Sequence, residues 1–172
     1  MNEKLKHIEL LLLDVDGVMT DGRIIWDANG TEIKFFNVKD GHGIKLVQRA
    51  GIQVGIITGR TSPVVDLRAK ELGIDILYQG ALRKQESYHD IKQRTGLTDH
   101  QIAYMGDDVI DVPVMRRVRF SAAPADAQAE VRAVADYVTQ ARGGWGAVRE
   151  LCDLLLKARG AWQELVVDRY EL

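Results

Sequence analysis

Leu10-Leu11-Leu12-Leu13-Asp14-Val15-Asp16-Gly17 joins an apolar run of strand length to two acidic residues and a glycine that favours a turn. Side chains alternate between the two sides of a strand, so Asp14 and Asp16 begin on the same side of the backbone. Two carboxylates held close together repel each other unless a hard cation such as Mg²⁺, or a bound proton, offsets their charge. Taken alone, the doublet indicates either a ligand site at the end of a buried strand or two acids at a solvated strand end.

The composition is typical of one soluble globular domain, which we expect to span residues 1–172. The formal net charge of −2 excludes the basic stripe that nucleic acid or an anionic membrane would require. Residues 1–9 do not resemble a signal peptide, and no apolar run reaches the roughly 20 residues of a membrane span. The single Cys152 fits a reducing compartment. We therefore expect a cytoplasmic protein with a small substrate and with neither nucleic acid nor membrane as a partner.

Short apolar runs alternate with helical patterns along the chain. Apolar strands that are separated by helices indicate a parallel sheet covered on both faces. The sequence therefore predicts an α/β fold with a doubly wound, Rossmann-like parallel sheet. The predicted strands are residues 8–13, 52–57, 76–78, 102–105 and 118–121, and the predicted helices between them are residues 44–50, 62–73 and 84–95.

One segment interrupts this alternation and predicts a β-hairpin flap over about residues 22–37. Its two strand-like runs flank Asp27-Ala28-Asn29-Gly30, which is a hairpin turn signal. Because the hairpin follows the acidic doublet, it should project from the same edge of the sheet. Its aromatic residues Trp26, Phe35 and Phe36 would either pack on the body or meet another subunit, and we favour the second arrangement.

Three further groups of polar residues follow predicted strands, at the carboxyl edge where open α/β sheets bind their ligands. They are Thr58-Gly59-Arg60, Lys84 and Gly106-Asp107-Asp108. With the first doublet they resemble the four motifs of the haloacid dehalogenase superfamily, in the expected order. That order argues against a phosphate-accepting signalling receiver, which would carry adjacent acids after its first strand.

The resemblance implies a Mg²⁺-dependent phosphatase that works through an aspartyl-phosphate. Asp14 would attack phosphorus, and Asp16 would protonate the leaving alcohol and then activate the attacking water. The metal would be held by Asp14, by the backbone carbonyl of Asp16 and by Asp107. Thr58, Gly59 and Lys84 would bind the phosphoryl oxygens, Asp108 would orient the metal shell, and Asp111 would orient Lys84 or metal waters or simply occupy the first turn of a helix.

No interval between the motifs is long enough for the cap domain that most of the superfamily carries. The site should therefore be open to water unless another subunit covers it. A three-glycine loop, Gly143-Gly144-Trp145-Gly146, precedes an apolar helix and a C-terminal tail of about residues 158–172. Residues 14–22, 36–41, 106–108, 111–115 and 143–150 extend the resemblance to the capless family of 3-deoxy-D-manno-octulosonate 8-phosphate phosphatases.

This closer resemblance implies a cytoplasmic homotetramer whose hairpins assemble centrally and whose reaction serves lipopolysaccharide inner-core synthesis. A phosphatase for a nine-carbon sugar acid phosphate, 2-keto-3-deoxynononate 9-phosphate, shares the architecture and is the alternative. A catalytically inactive scaffold is disfavoured because every reacting residue is present. The resemblance also implies that the sugar acid is bound by a segment beside the flap and by two arginines: Asn37, Val38, Lys39, Asp40, Gly41, Arg60 and Arg68.

Overall fold

Six parallel strands form the central sheet in a computed structural model that describes residues 2–172. From one edge to the other they are Ile76–Tyr78 (β5), Gln53–Ile57 (β4), Leu10–Leu13 (β1), Ile102–Met105 (β6), Phe120–Ala123 (β7) and Tyr137–Val138 (β8). The chain builds outward from β1 first through β4 and β5 and then through β6, β7 and β8. The strand order therefore reverses between β1 and β6, and ligands of doubly wound sheets bind at such a switch point.

Helices cover both faces of this sheet, which confirms the predicted α/β doubly wound fold. Strand β1 is buried on both sides, because Leu11 and Leu13 pack into one core and Leu10 and Leu12 into the other. One face is covered by Asn2–Leu5 (α1), Val38–Arg49 (α2), Pro63–Leu72 (α3) and Ala147–Arg159 (α7), and the other by Lys84–Thr95 (α4), Val112–Met115 (α5) and Ala129–Val134 (α6).

Several element boundaries differ from the sequence prediction, and two of the differences have clear local reasons. Helix α2 begins six residues earlier than predicted, because the side chain of Asn37 accepts a hydrogen bond from Lys39 N and caps the helix. Strand β7 begins two residues later than predicted. Val118 N still donates to Val114 O, so Val118 belongs to the turn that ends α5. Strand β8 and helix α6 have no strong sequence signal and were not predicted.

The hairpin flap consists of Ile25–Trp26 (β2) paired antiparallel with Glu32–Ile33 (β3). Its strands are shorter than the predicted runs. The turn is closed by Asp27, whose Oδ1 accepts hydrogen bonds from the backbone N–H groups of Asn29 and Thr31, both at 2.8 Å. No separate cap domain is inserted anywhere in residues 2–172. Four large apolar side chains of the flap are exposed: Ile24, Trp26, Ile33 and Phe35.

After α7 the chain forms a short π-helical segment, Gln163–Asp168, that lies against the body of the same chain. Val166 is buried in the core, and the hydroxyl of Tyr170 lies 3.0 Å from Nε2 of His42 on α2. Among the described residues, no helix combines the length and apolar character needed to cross a membrane.

Candidate active site

A pocket of about 240 Å³ lies at the switch point, where β1 and β6 end side by side. It is smaller than the roughly 300–1,000 Å³ of typical small-molecule sites, and one side is open. The structure brings together here seven of the residues that the sequence singles out. These seven are Asp14, Asp16, Thr58, Gly59, Arg60, Asp107 and Asp108, and Gly22 and Ile110 complete the lining.

Lys84 is the centre of a buried ion cluster at the floor of this pocket. It occupies the first turn of α4, and its Nζ lies 2.8 Å from Oδ1 of Asp14 and 2.6 Å from Oδ1 of Asp111. Burial disfavours the charged lysine, but the two carboxylates outweigh that cost and raise the pKa of Lys84 above its usual value. Tyr104 also donates a hydrogen bond to Asp111, at 2.6 Å. The ammonium is therefore held in place before any ligand arrives.

Asp111 also shapes the loop that carries Asp107 and Asp108. Its Oδ2 accepts hydrogen bonds from the backbone N–H groups of both residues, at 3.0 and 3.1 Å. Gly106 makes this approach possible, since a Cβ there would lie 2.4 Å from Cβ of Asp111. The carboxylate of Asp111 is thus engaged on both oxygens and is fully buried. Of the roles left open by the sequence, orienting Lys84 is the one that fits this geometry.

The carboxylates of Asp14, Asp107 and Asp111 can place one oxygen each within 4.8 Å of one another. Because Asp111 is already engaged, Asp14 and Asp107 are the side chains available to a cation. An oxygen-only donor set fits Mg²⁺. Gly17 leaves room for the carboxylate of Asp107, since a Cβ at residue 17 would lie only 2.0 Å from Oδ2 of that residue.

Burial and crowding of charge make these acids hard to ionise without a cation. Burial, opposed by Lys84 and reinforced by Asp111, raises the pKa of Asp14 to about 6. The pKa of Asp107 is raised to about 8, mainly by burial and to a smaller extent by the charges of Asp14 and Asp111. A divalent cation between the two carboxylates would stabilise their charged forms. The raised pKa values of these two acids therefore match a metal centre.

Asp16 lies at the mouth of the pocket and contacts the flap. Its Oδ1 accepts a hydrogen bond from Nζ of Lys34, whose side chain is only 2% exposed. Glu32 on β3 accepts a hydrogen bond from Nη2 of Arg60 at 2.7 Å and another from the hydroxyl of Ser62. Lys34 and Glu32 were not predicted from the sequence as residues of the site. Their signal is the alternation of charged with apolar residues in Glu32-Ile33-Lys34-Phe35, which gives one side of the flap a polar edge.

Most of the predicted sugar contacts lie outside the pocket of their own chain. Asn37 caps α2, and its Nδ2 donates a hydrogen bond to the backbone oxygen of Gly144. Asp40 is buried and accepts hydrogen bonds from the backbone N–H groups of Gly146 and Arg149. Within one chain its carboxylate therefore anchors the start of α7. Val38 and Lys39 are exposed on α2, beyond the residues that line the pocket.

Arg68 and Gly41 also form a contact away from the pocket. Nη1 of Arg68 pairs with Glu71 on the same helix at 2.7 Å, and the guanidinium lies over the ring of Phe36. A Cβ at Gly41 would lie 2.4 Å from Nη2 of Arg68, so the glycine is needed for this packing. In one chain Arg68 therefore lies outside the residues that line the pocket, and its contact with the substrate stays a prediction.

The glycine-rich loop packs directly behind the acidic doublet. A Cβ at Gly143 would lie 1.8 Å from the backbone oxygen of Gly17, and one at Gly144 would lie 2.5 Å from the carbonyl carbon of Thr20. Gly144 also has φ = +70°, which disfavours other residues. Its N–H donates a hydrogen bond to Val18 O. The loop thus supports the turn that follows Asp16, and Trp145 is left exposed beside it.

Comparison with known proteins agrees with this geometry. Residues 77–149 match the family model described as haloacid dehalogenase-like hydrolase. The chain is 48% identical over 147 residues to the 3-deoxy-D-manno-octulosonate 8-phosphate phosphatase KdsC of Escherichia coli strain K12, a match that covers 86% of this chain and 78% of that protein. The chain belongs to this family of haloacid dehalogenase-like phosphatases. The family resemblance stated from the motifs is therefore confirmed.

Solved structures of the family share the fold over almost the whole chain. The 3-deoxy-D-manno-octulosonate 8-phosphate phosphatase of Moraxella catarrhalis, solved with a magnesium ion, a phosphate ion and a KDO molecule, has a TM-score of 0.95 at 41% identity and covers 98% of this chain and 97% of its own. The enzyme from Yersinia pestis has a TM-score of 0.92 at 46% identity, with 93% and 86% covered. The absence of a cap domain in the described residues is thus a property of the shared fold.

Proposed function

We propose that this chain is a Mg²⁺-dependent phosphatase that hydrolyses 3-deoxy-D-manno-octulosonate 8-phosphate to the free sugar acid and phosphate. The observation that carries the proposal is the buried contact of Lys84 with Asp14 and Asp111, next to Asp107 at the carboxyl edge of β1 and β6. These residues would supply a nucleophile, a fixed positive charge and an oxygen-only metal site at one pocket. The family's named members act on this sugar phosphate.

The metal would be held by the carboxylates of Asp14 and Asp107 and by the backbone carbonyl of Asp16. When bound, Mg²⁺ draws negative charge from the phosphoryl oxygens and offsets the repulsion between the two carboxylates. Asp108 follows Asp107 in the same loop, and its Oδ1 accepts a hydrogen bond from the N–H of Val109. It therefore stiffens the loop that presents Asp107.

The other residues of the site would each have a separate role in phosphoryl transfer. Asp14 attacks phosphorus and forms an aspartyl-phosphate as the ester bond to the sugar breaks. Lys84, the hydroxyl of Thr58 and the N–H of Gly59 bind the phosphoryl oxygens as charge redistributes. Asp16 gives its proton to the leaving oxygen and then takes a proton from the water that hydrolyses the intermediate.

We expect the sugar acid to extend beyond the pocket, because the volume of about 240 Å³ lies below the roughly 300–1,000 Å³ of typical small-molecule sites. Arg60, whose side chain is 36% exposed at the mouth and also pairs with Glu32 at 2.7 Å, would meet a second negative charge. The open side of the pocket would be covered by other subunits of a homotetramer. The exposed Ile24, Trp26, Ile33 and Phe35 of the flap support such an assembly, since apolar side chains clustered on a short hairpin favour a partner.

The proposed place of the reaction is the cytoplasm, where the free sugar acid would be supplied to lipopolysaccharide inner-core synthesis. The composition supports this place, with one buried cysteine, Cys152, and no requirement for a disulfide.

The decisive test is a panel of phosphorylated sugar acids, assayed for phosphate release with Mg²⁺ and after treatment with a chelator. The eight-carbon sugar acid 8-phosphate should give the highest kcat/KM, and chelation should abolish turnover until Mg²⁺ is restored. A higher kcat/KM for the nine-carbon 9-phosphate would contradict the assignment of substrate while leaving the reaction type intact.

The nucleophile is tested by Asp14→Asn, which keeps the shape of the side chain and removes its charge. Turnover should fall by at least about 10³-fold, because no aspartyl-phosphate can form. Circular dichroism of the variant should match that of the parent. Full turnover by Asp14→Asn would refute the assigned role.

The assembly is tested by light scattering during gel filtration. The parent should elute with the mass of four chains, and Trp26→Ser combined with Phe35→Ser should shift the distribution to smaller species. A monomeric parent with full selectivity for the substrate would contradict the proposed cover by neighbouring subunits.

A further inference from the structure

Four charged side chains form a closed ring at the mouth of the pocket, with acids and bases in alternation. Asp16 contacts Lys34, and Lys34 lies 3.5 Å from Oε1 of Glu32. Glu32 in turn contacts Arg60, and Nε of Arg60 lies 3.7 Å from Oδ2 of Asp16. Two of the four residues belong to the flap and two to the body. The ring therefore links the hairpin directly to a carboxylate of the pocket.

Lys34 holds only one of the two oxygens of Asp16. Its Nζ donates to Oδ1, while Oδ2 is at a distance from Arg60 that is too long for a hydrogen bond. The lysine side chain is 2% exposed, so the contact is shielded from competing water. One oxygen of Asp16 is thus fixed from behind, and the other is left for chemistry in the pocket.

We propose that Lys34 is a positioning residue that aims Asp16 at the oxygen of the leaving group. The inference rests on the proposed function, because it concerns the acid–base step of that reaction. In the first half, the bond between phosphorus and the sugar oxygen breaks, an oxygen of Asp14 bonds to phosphorus, and the proton of Asp16 passes to the sugar oxygen. In the second half, the oxygen of the attacking water bonds to phosphorus as the bond between phosphorus and Asp14 breaks, and the water gives a proton back to Asp16.

Lys34 is not needed to hold the flap against the body. Its effect on the position of Asp16 can therefore be tested separately from the docking of the flap. Glu32 makes that connection on its own through Arg60, at 2.7 Å, and through Ser62. Removal of the ammonium of Lys34 therefore leaves the flap docked but frees the carboxylate of Asp16 to rotate. The expected decrease in kcat/KM is therefore specific to the step in which Asp16 transfers a proton.

The test compares two substrates whose leaving groups differ in their need for a proton. The sugar phosphate leaves as an alkoxide that must be protonated, whereas para-nitrophenyl phosphate leaves as a stable phenolate. The parameter is kcat/KM, which covers only the steps through phosphoryl transfer to Asp14 and excludes hydrolysis of the intermediate. Variants are Lys34→Met, which removes the charge, and Lys34→Arg, which restores it.

Lys34→Met should lower kcat/KM by about 10- to 100-fold for the sugar phosphate and by less than about threefold for para-nitrophenyl phosphate, since positioning accounts for part of the 10²–10⁴-fold effect of a general acid. Lys34→Arg should recover most of the loss. Lys70→Met, at an exposed lysine of α3, is the matched control and should behave as the parent on both substrates.

Equal losses on the two substrates, or no loss on either, would overturn the positioning role while the parent's activity on the sugar phosphate upholds the proposed function. A parent that releases no phosphate from the sugar phosphate would overturn both. If Lys34→Met does not fold, as judged by circular dichroism, Lys34→Gln is measured against the same two outcomes.

Discussion

The floor and the mouth of the candidate pocket are built in different ways. At the floor, Lys84 and Asp111 are fully buried and satisfy each other within one chain. At the mouth, Arg60 is partly exposed and the apolar side chains of Leu82 and Ile110 face solvent. One chain is therefore sufficient to fix the charges that act on a phosphoryl group. Selection among sugars depends on surfaces that one chain leaves open.

The largest effect should come from breaking the floor at Lys84. Lys84→Met leaves Asp14 and Asp111 buried without their cation, which should lower the free energy of unfolding by about 3–5 kcal/mol. Turnover should fall by about 10²–10³-fold, since one donor to the phosphoryl oxygens is lost. Urea unfolding and steady-state kinetics at saturating Mg²⁺ measure the two effects.

Lys70→Met again serves as the control for loss of one positive charge. An Lys84→Met protein with the parent's stability would show that Asp14 and Asp111 are not dependent on the ammonium, and it would contradict the description of the floor as a self-contained ion cluster.

The charge of the floor should also make stability depend on pH in the metal-free protein. The folded-state pKa values of Asp14 and Asp107, about 6 and about 8, lie above the value of 3.8 expected for an unfolded chain. The folded state therefore holds protons that the unfolded state has released, so this contribution is complete below about pH 4 and is lost as pH rises through 6 and 8. Between about pH 6 and pH 9, Tm should fall by about 5 °C.

Differential scanning calorimetry with a chelator present measures this fall. Saturating Mg²⁺ should reduce it by stabilising the ionised carboxylates, and Asp107→Asn should reduce it in the absence of metal. A metal-free protein whose Tm rises over the same interval would contradict the sign of both pKa shifts.

The same contrast explains which parts of the structure could be predicted from the sequence. Strand β1 was recognised because four consecutive leucines leave no polar side, as a strand buried on both faces requires. Asp14, Asp107 and Lys84 were placed together because parallel strands bring their carboxyl ends to one edge. These inferences need only strand order and chain direction.

Residues whose partners lie far along the chain could not be assigned in this way. Asp40 contacts backbone groups of Gly146 and Arg149, and nothing in its local sequence distinguishes such an anchor from a ligand contact. Lys34 meets Asp16 only because the hairpin folds back over the pocket. Strand periodicity predicted the hairpin but not the angle at which it leaves the sheet.

Asp40→Asn tests whether this residue belongs to the scaffold, as the structure indicates, or to the mouth of the pocket. Its two carboxylate oxygens each accept a backbone N–H at the start of α7, and an amide can replace only one of them. The free energy of unfolding should fall by about 1–3 kcal/mol because one buried N–H is left without an acceptor. A raised KM with unchanged urea unfolding would instead support a contact with the substrate.

The smallest effect should come from Arg83, which precedes Lys84 but points away from it. Its side chain is 84% exposed and lies 3.5 Å from Glu86, whereas Lys84 is held by Asp14 and Asp111. Arg83→Glu should therefore leave kcat unchanged and raise KM by about two- to threefold at low ionic strength, because it weakens only the long-range attraction of an anionic substrate.

That increase should disappear in high salt, and Arg83→Gln should show about half of it. Initial rates across a series of salt concentrations measure the effect. A fall in kcat for Arg83→Glu that persists in high salt would mean that residue 83 controls the position of the Lys84 ammonium. A substitution at the mouth of the pocket would then affect Lys84 at its floor through the backbone of α4. The two regions could no longer be treated as independent.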